Sequence, residues 1–201
     1  MLLHAFVPAS RANGPGLRAV VYFQGCSLNC EDCWNPTSHK FKGADLAAAS
    51  IVEQIETARR VLRLEGVTFS GGEPMQQVHA LVEIMSRIRV ALPSASMGMF
   101  TGYTEAELDD GKYVTRPSTA TAEKRKLWHI VRAHLDFAVV GRYDRTQPGT
   151  APLRTSRNQK LLLFSSRYRE GDFTEQFVEV GIDQYGKAVV TGFPVFGSPA
   201  L

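Results

Sequence analysis

The sequence has little from which to build a disulfide framework, a membrane span or a nucleic-acid surface. Cysteine is scarce: Cys26, Cys30 and Cys33 are the only three in 201 residues. An odd number at such close spacing makes a poor set of bridges, because neighbouring pairs would be strained, so a disulfide-stapled fold is excluded. No apolar run approaches the roughly 18 residues that a membrane span needs. Met1 to Phe6 lacks the basic flank and long apolar stretch of a signal peptide, so the expectation is a cytoplasmic protein with no membrane contact. The net charge is only +3, and its cations are dispersed apart from Lys124-Arg125-Lys126, a solvated helix start. That is too little to argue for nucleic acid. Internal repeats, low-complexity tracts and Gly/Ser linkers are missing. So are G-x-S-x-G, a Walker loop and H-E-x-x-H. His4, His79, His129 and His134 are scattered and read as surface or packing residues.

What is present describes a single domain, with 44% hydrophobic residues to form its core. Arg18 to Gln24 is rich in branched and aromatic side chains and predicts a buried strand, entered through the turn Asn13-Gly14-Pro15-Gly16. Leu46 to Leu64 carries Ile51, Ile55, Ala58 and Leu62 at helical spacing. Val67-Thr68-Phe69 predicts a short strand running into Ser70-Gly71-Gly72-Glu73-Pro74. A second helix covers about 78–92, with Leu81, Val82, Met85, Ile88 and Leu92 inward, and Pro93 stops it. Ser96 to Phe100 predicts a strand ending in Thr101-Gly102-Tyr103. About 109–121 is polar and irregular, with Asp109-Asp110 a solvated loop. Lys124 to His134 predicts a helix, and Phe137 to Val140 a strand ending in Gly141-Arg142-Tyr143. Gln147 to Asn158 reads as a long loop. Alternation at 177–180 and 188–190, around Asp183-Gln184-Tyr185-Gly186, predicts a β-hairpin.

Strands alternating with helices imply an α/β fold with a mainly parallel sheet, in which ligands collect beyond the carboxyl ends of the strands. The cysteine loop, the double-glycine turn, Thr101-Gly102 and Gly141-Arg142 all follow predicted strands and so share one rim. The cysteine spacing is C-x3-C-x2-C, followed by Trp34-Asn35-Pro36. Three thiolates on one tight loop suit a cubane in which each binds a different iron and the fourth iron keeps an open position. The alternative is structural zinc with His39 as a fourth ligand. Three unligated core cysteines are a further alternative.

Cys26-Ser27-Leu28-Asn29-Cys30-Glu31-Asp32-Cys33-Trp34 resembles the signature of the radical S-adenosylmethionine enzymes. Ser70-Gly71-Gly72-Glu73-Pro74 resembles that family's GGEP turn. The resemblance implies a [4Fe-4S] cluster on Cys26, Cys30 and Cys33. It implies S-adenosyl-L-methionine against Asp32, Trp34, Gly71, Gly72, Glu73, Thr101 and Arg142, with no catalytic residue beyond the cluster ligands. The family's turn binds the amino group of the cofactor's methionine part. Two glycines permit close backbone approach, and carbonyls with a carboxylate suit an ammonium. By the same carry-over Thr101 and Arg142 orient the methionine carboxylate or the ribose, and Trp34 packs near the adenine or the cluster.

Four further stretches are similar to the activating enzymes of glycyl-radical proteins, especially the anaerobic ribonucleotide reductase activases. They are Asn13 to Arg18, Phe100 to Leu108, Asp136 to Tyr143, and Arg154 to Gln159. The resemblance implies a single radical-S-adenosylmethionine domain over 1–201. Its core, about 4–165, would be a partial, open βα barrel, with a C-terminal β-hairpin extension over about 166–201. It also implies a glycyl-radical enzyme as protein partner and reduced flavodoxin or ferredoxin as electron donor. Asn13 to Arg18 would shape the opening for the partner's glycine loop. Gly141 stands where the family usually has an acidic residue, and Trp-Asn-Pro replaces the commoner Tyr-Asn or His-Asn. A stand-alone radical enzyme acting on a small molecule or peptide is the rival, and a zinc-binding regulatory module the rival from another class.

Overall fold

The computed structural model describes residues 1–173, 178–182 and 188–192. Six strands pair in chain order into one sheet: β1 (Leu3–Ser10), β2 (Arg18–Phe23), β3 (Gly66–Gly71), β4 (Ser96–Thr101), β5 (Phe137–Val140) and β6 (Lys160–Leu163). The ladders from β2 to β5 are parallel, while β1 and β6 pair antiparallel on the two edges. Parallel neighbours require long crossovers. These carry α1 (Ala48–Leu62), α2 (Val78–Ala91), and α3 (Glu105–Asp109) with α4 (Thr121–His134).

Helix α2 packs against both α1 and α4, so the helices form one layer on one face of the sheet. Between the layers lie Ala19, Val21 and Phe23 of β2, Ile51 and Ile55 of α1, Leu81, Ile84 and Ile88 of α2, and Trp128 of α4. Each large side chain buried there contributes about 1.5–3 kcal/mol. Period-2 alternation sends the intervening strand residues to the opposite face. There Phe137 and Val139 pack with Leu153, Tyr168 and Phe173 from the second half of the chain.

Arg18 also points to that opposite face and is fully buried. Its guanidinium donates to Thr68 Oγ1 at 2.7 Å, Ser96 Oγ at 2.7 Å, Val67 O at 2.9 Å and Pro15 O at 3.1 Å. Burial lowers its pKa, opposed by Tyr168, Glu65 and Asp136. Arg18 opens β2, while Asn13 folds back over this face of the sheet, where its carbonyl accepts from Thr68 Oγ1 at 2.8 Å and its side-chain oxygen lies 3.4 Å from the Tyr22 hydroxyl.

Two edge strands exceed the expectations from sequence. Strand β1 contains Pro8, which breaks the strand pattern but is tolerated on an edge. Strand β6 is only four residues long. Leu62 faces outward rather than into the core, at the last turn of α1 before Arg63 adopts a left-handed conformation. Strands β7 (Val178–Ile182) and β8 (Ala188–Gly192) pair antiparallel, as the alternation predicts; Phe177 and the turn Asp183–Gly186 lie outside the described residues. The pair is seated by polar contacts on the turn after β1. The Glu179 carboxylate accepts from Ser10 Oγ and from Arg11 N at 2.9 and 3.0 Å. Thr191 Oγ1 accepts from Asn13 Nδ2 at 2.7 Å and lies 2.5 Å from the Tyr22 hydroxyl.

Candidate functional site

Four parallel strands end on one edge of the sheet, and each is followed by one of the segments singled out from sequence. The cysteine loop leaves β2 through Gln24 and Gly25. It is closed on itself by Gly25 N donating to Ser38 O at 2.7 Å and Cys26 N to His39 O at 3.0 Å. Asn29 and Asp32 have positive φ, 50° and 53°, which curls the loop tightly around its three cysteines. All three are free thiols of intermediate exposure. Burial pushes Cys26 up to about 11, against backbone N–H groups of Leu28 and Asn29 aimed at its sulfur. Burial also raises Cys30, helped by Cys33 and opposed by Arg142 and the Tyr143 N–H. A neutral thiol is what such desolvation favours, and a bound cation reverses that preference.

The turn after β3 lies against the start of this loop, backbone to backbone. Gly72 N donates to Phe23 O at 2.7 Å and Glu73 N to Gly25 O at 2.9 Å. A side chain at Gly72 would put its Cβ 2.4 Å from Gly25 O. Gly71 has φ of 104°, and a Cβ there would lie 2.4 Å from Phe23 N. Both positions therefore demand glycine.

Glu73 is 1% exposed, and its carboxylate faces inward. Oε1 accepts from Met75 N at 2.9 Å and Thr101 Oγ1 at 2.8 Å, and Oε2 accepts from Gly102 N at 2.8 Å. Burial raises its pKa to about 7, with these three donors pulling the other way. Glu73 and Thr101 thus latch the turn after β3 to the end of β4.

Arg142, after β5, forms a two-pronged pair with Glu107, both contacts 2.9 Å. Its guanidinium stands 5.6 Å from the centre of the Tyr103 ring. Glu107 is held down to about 2, chiefly by that pair, and with Thr104 it forms the capping box of α3. Asp32 is exposed on the cysteine loop and receives Arg145 Nη1 at 2.7 Å, with Glu31 3.1 Å from the same nitrogen. Trp34 is 41% exposed. The Arg154–Gln159 stretch braces the same rim: Asn158 Nδ2 donates to Arg142 O at 2.8 Å and Gln159 Nε2 to Gly141 O at 3.2 Å.

Sequence reasoning missed the glutamines. Gln76 and Gln77, just past Pro74, are buried and reach back to the cysteine loop: Gln76 Oε1 accepts from Ser27 N at 3.0 Å and Gln77 Nε2 donates to Gln24 O at 2.8 Å. No periodicity marks them; the only signal is a polar pair inside an otherwise apolar stretch. Arg145 was missed as well, since a lone cation in a loop has no local signature.

The donor set fits an iron–sulfur cluster. Three thiols come from one curled loop. Among the described residues, no three His, Cys, Asp or Glu side chains converge closely enough for a single metal ion. Cys30 lies close enough to Cys26 and to Cys33 to act on each electrostatically, and three thiols from one loop suit a cluster in which each serves a different iron.

Three soft ligands on a strand-end loop, beside a glycine turn that admits close backbone approach, define a cluster-binding α/β domain. The chain belongs to the 4Fe-4S single cluster domain family, whose pattern matches residues 12–162 and so spans all four strand-end segments. Its relatives include the anaerobic ribonucleoside-triphosphate reductase-activating protein of Vibrio cholerae, 28% identical over 171 aligned positions, covering 82% of this chain and 99% of the relative. The protein of the same name from Enterobacteria phage T4 is 24% identical, covering 77% of this chain and 88% of its own. The pyruvate formate-lyase-activating enzyme of Clostridium pasteurianum is 33% identical over 109 residues, covering 48% and 44%.

Proposed function

We propose that this chain is a radical S-adenosylmethionine activase that generates a glycyl radical on a partner enzyme. The observation that carries the reading is the direct backbone contact between the cysteine loop and the Gly71–Gly72 turn, through Glu73 N to Gly25 O and Gly72 N to Phe23 O. It holds a cluster-binding loop and a cofactor-binding turn in one rigid piece. The names of the relatives support the activase reading over a stand-alone enzyme.

Cys26, Cys30 and Cys33 would hold the [4Fe-4S] cluster. When bound, the reduced cluster would supply the electron for reductive cleavage of S-adenosylmethionine to methionine and a 5′-deoxyadenosyl radical, the species that would take a hydrogen atom from the partner's glycine. The protein's part is orientation. Gly71 and Gly72, packed against the backbone of Phe23 and Gly25, would hold the turn's backbone beside the cysteine loop, where it would meet the methionine ammonium. Glu73 serves this contact from behind, since its carboxylate is taken up by Met75, Thr101 and Gly102. Arg142, fixed by Glu107, keeps positive charge near Cys30 and toward the methionine carboxylate. Asp32 and Trp34, exposed on the loop, face the cofactor's outer parts.

The six-stranded sheet with its crossover helices would form a partial, open βα barrel. The reading also includes one domain with its core over about 4–165 and a β7–β8 extension. A flavodoxin or ferredoxin supplies the electron, and a reducing cytoplasm keeps the three thiols free. Among the described residues no helix is long and apolar enough to cross a membrane.

Anaerobic reconstitution tests the reading. The expected result is about four irons per chain, 5′-deoxyadenosine formed with a strong reductant, and a glycyl radical signal by paramagnetic resonance once the partner is added. One tetrahedral zinc per chain with no cofactor cleavage refutes it.

A further inference from the structure

Resting on the cluster reading above, we infer that Gln76 is a positioning residue for the first cysteine. It sets the direction of the Cys26 Cα–Cβ bond through Ser27 and ties the cysteine loop to the turn after β4.

Gln76 is fully buried, and a buried primary amide is tolerated only where its polar atoms are paired. Its pairing is directed at one place. Oε1 accepts from Ser27 N at 3.0 Å, and Nε2 donates to Ser27 Oγ at 2.8 Å and to the Tyr103 hydroxyl at 2.8 Å. Both ends of the amide therefore grip the residue next to Cys26. The peptide after Cys26 is fixed by Gln76, and the peptide before it by Cys26 N to His39 O at 3.0 Å. With both flanking peptide planes held, the Cα–Cβ bond of Cys26 has one direction.

The amide's own seat is equally fixed. Gln76 N donates to Glu73 O at 3.1 Å, and Gln76 O accepts from Arg116 N at 2.7 Å. Tyr103, the third contact, also accepts from Val114 N at 3.0 Å and carries the Arg142 guanidinium over its ring. One side chain thus joins the cysteine loop, the glycine turn and the end of β4. Groups behind the ligands of a metal site commonly control metal affinity by about 10- to 100-fold.

The test compares Gln76→Met, which fills the space without hydrogen bonds, Gln76→Glu, which keeps an acceptor for Ser27 N–H, and Ser27→Ala, which leaves Gln76 in place. Folding of each cluster-free variant is checked by circular dichroism. The reconstituted proteins are then followed for iron release to a chelator and for the paramagnetic resonance spectrum of the reduced cluster with and without S-adenosylmethionine. The expected result is iron release roughly 10-fold faster in Gln76→Met, an intermediate rate in the other two, and a smaller spectral change on cofactor addition. Release at the wild-type rate and an unaltered spectral change in Gln76→Glu and Ser27→Ala would overturn the inference, whatever Gln76→Met does to folding. Failure of the wild-type chain to take up a four-iron cluster would instead refute the reading on which the inference rests.

Discussion

A methyl group at Gly72 is the sharpest available probe of the contact on which the site depends. In Gly72→Ala the new Cβ would stand 2.4 Å from Gly25 O, 2.8 Å from Gly25 C and 3.0 Å from Gly25 N. All three are backbone atoms, so no side-chain rotation relieves the clash. The two chain segments must part, and the bonds Gly72 N to Phe23 O (2.7 Å) and Glu73 N to Gly25 O (2.9 Å) lengthen or break. Overpacking costs about 1–3 kcal/mol, and two weakened bonds add about 0.5–1.5 kcal/mol each. The sum, roughly 2–6 kcal/mol, lowers the melting temperature by about 4–24 °C for a chain of this size. Thermal melts of the cluster-free protein read the stability, and iron content after reconstitution reads the site. Gly171→Ala is the control, since nothing lies within 4 Å of its added carbon. A Gly72→Ala protein with wild-type melting and full iron would refute the backbone-contact argument.

Three other outcomes follow from the charged groups. Glu73 is raised from 4.5 to about 7 by burial, so the folded chain binds a proton that the unfolded chain has lost. Stability of the cluster-free protein should therefore fall as pH rises from about 4.5 through about 7, by on the order of 3 kcal/mol. Urea titrations across that range should show the slope in the wild type and its loss in Glu73→Gln. Glu107 is depressed to about 2, so its pair with Arg142 stabilises above about pH 4.5 and is lost as pH falls through about 2. The Arg142 side chain is 40% exposed, so Glu107→Gln should cost no more than about 1 kcal/mol at neutral pH, and equilibrium unfolding should show that difference vanishing in acid. Arg18→Leu strips the donors from Thr68, Ser96, Val67 and Pro15 in the interior and should cost about 1–3 kcal/mol for each acceptor left unpaired, read by chemical denaturation.

Most of the sheet and the outline of the site could be read from the residues. The inner strands are buried on both faces, so they appear as runs such as Ala19-Val20-Val21-Tyr22-Phe23. Helices α1, α2 and α4 are long enough to display a period. The edge strands gave weaker signals: Pro8 interrupts β1, and Lys160-Leu161-Leu162-Leu163 is too short to show alternation. Helix α3 has five residues, fewer than two turns, although its Thr104…Glu107 capping box was there to be seen. The cysteines and glycines of the rim were legible because few residue types can do their work. Gln76, Gln77 and Arg145 were not, because a polar side chain declares its partner only when distant loops are brought together.

Covering the two faces of the sheet falls to different parts of the chain. The helical side is completed by α4, which ends at His134, whereas the other side waits for Leu153, Tyr168, Phe173 and the Glu179–Thr191 seat. During synthesis the ribosome therefore releases a half-clad sheet first. Phe137, Val139 and the guanidinium of Arg18 stay open to water until residues 153–173 emerge, which makes that late segment a natural point of intervention for chaperones or a truncating mutation.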